Sequence, residues 1–178
     1  MDISLFGAQD FKMLYLQTSH IFSALIQIFT DYYSCNLEFI MDQFQVLKQM
    51  LRIECHEVYN HICRLHFDLT VFCFKWFNNL LIRELSAGLV ADLWDYYFID
   101  PANAKYLHTF VCLALIVRMK SLILKTQDFG SLAQLFQNFP HSYTRQCDID
   151  IHGIVNQAKR LRGIYLSADQ RQVSFEEC

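Results

Sequence analysis

The stretch FCFKWFNNLLIRELSAGLVADLWDYYFIDP, Phe72 to Pro101, holds both tryptophans of the chain, an adjacent Arg83-Glu84 pair and a Trp94-Asp95 pair. Two readings compete for it. It is either a polar site box or the packed centre of a helical protein. Phe72, Cys73, Trp76, Phe77, Leu80 and Leu81 recur at helical spacing and give one broad apolar face. Ser86 restarts the pattern as a helix N-cap, and Leu89, Val90, Leu93, Trp94 and Tyr97 carry the next stripe. Asp100-Pro101 closes it, because the residue before a proline is pushed out of the helical region. The stretch therefore predicts two amphipathic helices joined by a short break.

The same period extends outward in both directions. Towards the N-terminus, Thr18-Ser19 is expected to cap a helix with Ile21, Phe22, Leu25, Ile26 and Phe29 inward. Asn36 is expected to cap the next, with Leu37, Ile40, Phe44, Leu47 and Leu51. A third helix spans about Glu54 to Arg64, turning Cys55, Val58, Tyr59 and Ile62 inward. Beyond Pro101, a long helix from about Asn103 to Leu122 is apolar on nearly all sides around Leu107 to Val117, which marks it as central. Asp128 to Phe139 is a shorter helix stopped by Pro140. Asp148 or Asp150 opens the last, with Ile154, Ala158, Leu161 and Tyr165. The tail from Ser167 to Cys178 is polar and expected to fray. The prediction is an all-α chain of about eight packed helices, without internal repeat or linker.

Composition agrees. Among 178 residues, only 5 are Gly and 2 are Pro, too few breakers for a sheet protein full of tight turns. Hydrophobic residues make up 53% against 19% charged, which supports a substantial core and excludes a disordered chain. A net charge of -3 excludes the strong basic excess of a nucleic-acid binder. The 7 cysteines are odd in number and irregularly spaced, and are read as reduced thiols in a cytosolic setting. No signal peptide is evident after Met1-Asp2-Ile3-Ser4. The longest apolar run, Phe110 to Val117, stops at Arg118 and is far too short to span a bilayer.

The order of residues is more particular than the pattern. A Trp helix, then Asn78-Asn79-Leu80-Leu81, then Arg83-Glu84, a break, and Leu93-Trp94-Asp95 resembles the C-terminal half of a TBC domain, the Rab GTPase-activating fold. Asp128-Phe129 and Leu135-Phe136-Gln137-Asn138-Phe139-Pro140 are similar to the TBC subgroup with an "LQNLP" helix, and Ala158-Lys159-Arg160-Leu161 to that subgroup's closing segment. The helices His20–Thr30 and Leu37–Leu51 resemble the pair that precedes the Trp helix. The likeness runs from about Ser19 to Tyr165. It divides the chain into 1–18, an N-terminal remnant or linker; 19–166, the C-terminal part of a TBC domain; and 167–178, a polar tail.

This resemblance implies a Rab-family small GTPase as partner and a role in vesicle traffic. The location implied is cytoplasmic and peripheral to endomembranes. Catalytic TBC domains supply an arginine finger from I-x-x-D-x-x-R and a glutamine from Y-x-Q. The arginine neutralises charge developing on the transferred phosphoryl group, and the glutamine orients the attacking water. The first motif is absent from this sequence. Tyr15-Leu16-Gln17 has the spacing of the second, but it lacks the following Gly and lies a full helix too late, so Gln17 is not assigned. No catalytic residue is expected in this chain, and no cofactor, since the GTPase would carry GTP and Mg. The chain is expected to be a regulator rather than an enzyme. The alternative is a finger-less module that binds a Rab or another protein, or self-associates through an uncovered helical face.

Trp76, Arg83, Glu84, Leu93, Trp94 and Asp95 are the family-motif residues. They are read as structural: Trp76 and Trp94 as core anchors, and Arg83 as a helix-terminal cation paired with Asp92 or Asp95. Cys55, His56, His61, Cys63 and His66 fit no closed zinc pattern, and no metal is assigned. Lys159-Arg160-Leu161-Arg162 reads as a solvated helix face.

Overall fold

A computed structural model describes residues 8–33, 37–139 and 149–176, and the fold is organised around one helix. We number the helices α1 (Ala8–Ile28), α2 (Thr30–Tyr33), α3 (Leu37–Glu54), α4 (His56–Arg64), α5 (Leu69–Asn78), α6 (Ala87–Ile99), α7 (Pro101–Arg118), α8 (Lys120–Ile123), α9 (Phe129–Gln137) and α10 (Ile151–Glu176). Among the described residues there is no strand. Every residue of α7 from Leu107 to Ile116 is buried. Such a helix is stable only when other elements surround it, and α10, α3, α6, α5 and α1 all pack on it. The stripe Ile151, Ile154, Val155, Ala158 and Leu161 of α10 and the stripe Ile40, Phe44, Leu47 and Leu51 of α3 are buried. Each large side chain so covered contributes roughly 1.5–3 kcal/mol.

Local chemistry sets the helix ends. Pro101 is the first residue of α7, after a non-helical Asp100 (φ -133, ψ 72), where its missing N–H costs nothing. Asp68 caps α5 by accepting from the Thr70 N–H at 2.9 Å. Asp128 and Ser131 form a reciprocal capping box on α9. Asp150 accepts from the Gly153 N–H at 2.9 Å and opens α10.

Among the described residues the expected eight helices become ten through two single-turn additions, α2 and α8. The predicted helix over 103–122 breaks at Met119 (φ -79, ψ 0), so α8 is separate. Thr18 does not start a helix. It lies inside α1, and its hydroxyl donates to the Leu14 carbonyl at 2.8 Å, a back-bond open to threonine within a helix. The backbone of α10 stays helical to Glu176 instead of fraying at Ser167. The expected caps Asn36 and Asp148, and the stop Pro140, lie outside the described residues.

Two helices end in Schellman motifs without the usual glycine. After α4, Phe67 N–H donates to the Ile62 carbonyl (3.1 Å) and His66 N–H to the Cys63 carbonyl (3.0 Å). His66 takes φ 52. After α5, Leu81 N–H donates to the Trp76 carbonyl (3.2 Å) and Leu80 N–H to the Phe77 carbonyl (3.4 Å), with φ 47 at Leu80 and 62 at Leu81. The left-handed conformation costs an L-residue roughly 1–2 kcal/mol. Leu80 and Leu81 are both buried, so their burial offsets that cost. His66 is exposed and has no such compensation. His66→Gly is therefore expected to stabilise the fold by about 1 kcal/mol, read as a higher urea midpoint at unchanged slope. A lower midpoint would count against the strain argument.

Candidate functional site

The family-motif residues gather at the lower end of α5, the left-handed turn after it, and α6. Trp76 is fully buried. Its ring lies 5.6 Å from that of Phe136, nearly parallel, and 5.2 Å from that of Phe139. This joins the Trp helix to α9 and the residues just beyond it. Leu93 is fully buried on α6. Trp94 is half-buried, and its indole N–H donates to the Leu80 carbonyl at 3.4 Å. That bond ties α6 to the strained turn. Tyr33 does the same from α2, donating its hydroxyl to the Asn78 carbonyl at 3.2 Å.

The polar members separate instead of clustering. Glu84 is 2% exposed. One of its carboxylate oxygens meets Lys75 Nζ at 3.4 Å. The other has no hydrogen-bond partner among the described residues. Burial pushes the Glu84 carboxyl up, against the downward pull of Lys75. Arg83 and Asp95 point to solvent. The expected pairing of Arg83 with Asp92 or Asp95 does not form. Nor is Arg83 in a last helical turn, since α5 ends at Asn78 and Arg83 sits in the turn beyond. The exposed guanidinium stands just beyond the left-handed pair Leu80-Leu81 and is presented outward, with the Lys75-paired Glu84 carboxylate buried beside it.

Behind this turn lies a polar centre that the motifs do not signal. His108 on α7 is fully buried. Its Nε2 lies 3.0 Å from the Trp76 carbonyl and its Nδ1 2.7 Å from the Tyr97 hydroxyl. A carbonyl can only accept, so Nε2 carries the proton and Nδ1 accepts from Tyr97. Rings of Phe29, Tyr32, Phe77 and Tyr97 meet the imidazole edge-on. Burial lowers its pKa to about 4. The one sequence signal was a histidine set inside the apolar run Leu107-His108-Thr109-Phe110, where a histidine must be satisfied internally.

The other candidates disperse. His61 is buried and bonded to Thr126 and Arg64. His56 bonds Asn60, Cys55 is buried, and Cys63 and His66 are exposed. Among the described residues no three His, Cys, Asp or Glu converge as a metal site would require. Cys73 and Cys112 are buried free thiols, and burial pushes both thiols up, away from nucleophilic use. Gln17 stands exposed on α1. Arg160 reaches Glu54 at 3.5 Å, and Arg162 bonds Asn103, so that basic run is partly tied to the body of the fold.

A fold of this order, with a Trp helix, a left-handed Leu-Leu turn and an Arg-Glu pair ahead of a Leu-Trp-Asp helix, matches a known class. Residues 5–124 match the Rab-GTPase-TBC domain family, and the chain belongs to that family. It is 31% identical over 147 residues to TBC1 domain family member 22B of Homo sapiens, covering 83% of this chain and 28% of that protein. It is 29% identical over 168 residues to TBC1 domain family member 22A of Mus musculus, covering 94% of this chain and 32% of that protein. The crystal structure of the Ypt/Rab-GAP domain of Gyp1p superposes with a TM-score of 0.69 at 28% identity, over 79% of this chain and 43% of that chain. The chain thus spans about a third or less of the curated relatives named here. Among the described residues, no helix is long and apolar enough to cross a membrane.

Proposed function

We propose that this chain forms the C-terminal part of a Rab GTPase-activating domain. Residues 19–166 close the helical fold and help to hold a Rab-family small GTPase during vesicle traffic. Residues 1–18 lead into that unit and 167–178 trail from it. The reading places the protein in the cytoplasm, peripheral to endomembranes. The family match over residues 5–124 carries this reading. The exposed Arg83 on its strained turn is a candidate contact for the partner. Trp76, Glu84, Leu93 and Trp94 act as scaffold beneath it. The reading makes it part of a regulator of its partner's hydrolysis, not an enzyme, with this chain inactive alone. GTP and Mg belong to the GTPase.

The sequence lacks I-x-x-D-x-x-R, and Gln17 does not stand in for the missing glutamine. Without an arginine supplied in trans, the roughly 10³–10⁵-fold acceleration seen in Ras-type systems has no source. Single-turnover GTP hydrolysis by a panel of purified Rab GTPases is therefore expected to run at the intrinsic rate with this chain present. Binding to at least one member is expected by biolayer interferometry. Acceleration above the intrinsic rate sinks the finger-less reading, and no binding across the panel sinks the partner.

One observation favours a second role. Large apolar residues of α1, among them Phe11, Tyr15 and Phe22, are more than half exposed, as in a module that binds through an uncovered helix or self-associates.

A further inference from the structure

Helices α3 and α10 both pack on α7, and between them lies a recess of about 210 Å³. Its walls come from these three helices: Val46 from α3, Tyr106 and Phe110 from α7, and Tyr165 from α10. The rings of Phe110 and Tyr165 lie 5.9 Å apart at a tilt. Two polar side chains interrupt this apolar lining, one from each flanking helix. Gln43 of α3 is only 7% exposed. Its Oε1 accepts from the buried Thr109 hydroxyl at 2.7 Å, which leaves the amide nitrogen on the side of the recess that Gln43 lines. That nitrogen donates to nothing among the described residues. Arg162 of α10 is half-buried. It donates to the side-chain oxygen of Asn103, and Asn103 in turn donates to the Asp100 carboxylate at 3.0 and 3.1 Å. The guanidinium is thus held in place, yet no carboxylate pairs with it among the described residues.

We propose that this recess binds a small monocarboxylate with an apolar body, of the class of a medium-chain fatty acid. The polar atoms decide the head group. Arg162 and the Gln43 amide nitrogen present N–H donors only, and no described residue of the lining is an acid. A buried donor left without an acceptor is costly, so a ligand oxygen placed there recovers a hydrogen bond. The planar guanidinium fits a carboxylate through two parallel bonds. Arg162 is the one cation among the described lining residues. It balances a single negative charge, not the roughly -1.5 to -2 of a phosphate monoester. The aliphatic and aromatic walls decide the rest, since they favour methylenes over polar groups. The volume falls below the roughly 300–1,000 Å³ of pockets for drug-sized ligands, which restricts the ligand to a compact one. This site is independent of the Rab reading.

Calorimetric titration of octanoate into the full chain, below the concentration at which the acid forms micelles, is expected to show one saturable site with Kd at or below about 1 mM. Octanol, octylamine and inorganic phosphate are each expected to bind at least tenfold more weakly. Arg162→Gln removes the charge but keeps a donor for Asn103. It is expected to weaken octanoate at least tenfold at an unchanged urea midpoint. Gln43→Glu keeps an acceptor for Thr109 and replaces the amide donor with a second acceptor, so octanoate binding is expected to be lost. Where that buried change unfolds the chain, Arg162→Gln decides alone. No saturable octanoate binding overturns the proposal. Equal binding of octanol overturns it too, because the recess would then select only apolar bulk. Tighter binding of phosphate overturns the choice of head group. Octanoate binding that survives Arg162→Gln in a folded chain places the acid elsewhere and overturns this site.

Discussion

Trp76→Ala is expected to destabilise the chain by about 4 kcal/mol, enough to unfold a domain of ordinary stability. The indole is fully buried. Its removal opens a cavity between α5 and α9 where Phe136 now stacks on it and Phe139 packs at a tilt, and it undermines the turn that presents Arg83. Trp76→Phe is expected to cost far less, about 1–2 kcal/mol. It keeps an aromatic ring in place and deletes an indole N–H that has no hydrogen-bond partner among the described residues. Urea titrations of the two variants give the check. Equal losses would mean that the N–H, not the ring's volume, matters at this position.

The second large effect is on pH. The imidazole of His108 must stay neutral in the fold, with its pKa lowered to about 4. In the unfolded chain it titrates near its ordinary value of about 6.5. Above that value neither state takes the proton, and the stabilisation is complete. As pH falls, the unfolded state binds a proton first, so stability drops until the folded pKa is reached. About 3 kcal/mol is lost across that window. The Tyr97 hydroxyl, the Trp76 carbonyl and the Cys112 thiol surround the ring, and none of them is a carboxylate that could offset the charge. His108→Gln is expected to flatten the profile between pH 6.5 and about 4 at the cost of lower stability at neutral pH. A variant that keeps the slope would assign it to another group.

The helices that were legible are those with an uninterrupted stripe. Ile40 to Leu51 and Ile154 to Leu161 announced their buried faces because burial of a helix face leaves a period in the sequence, whereas Leu37, expected in the same stripe, is exposed at the start of its helix. The single turns α2 and α8 are too short to leave one. Thr18 was misread because the same hydroxyl that can cap a helix can also bond back within one. The left-handed turn at Leu80-Leu81 was hidden because its residues are leucines, chosen by burial, where the backbone alone would favour glycine. At the candidate site, Trp76, Leu93 and Trp94 were singled out by their order. Their partners were not, because Trp76 and His108 lie 32 residues apart and no local pattern records such a pair. Arg83 was expected to be paired because its neighbours in sequence carry the right charges. The turn directs it elsewhere.

The burial of α7 on every side also has a consequence for synthesis on the ribosome. Its large partner α10 begins only at Ile151, more than thirty residues after α7 ends at Arg118. At roughly 5–20 residues per second, the newly made α7 waits some seconds with one apolar flank bare before its last cover is translated. A nascent chain held in that interval is a client for a chaperone that binds apolar helices, and ribosomes stalled before and after α10 should differ sharply in how much of it they retain.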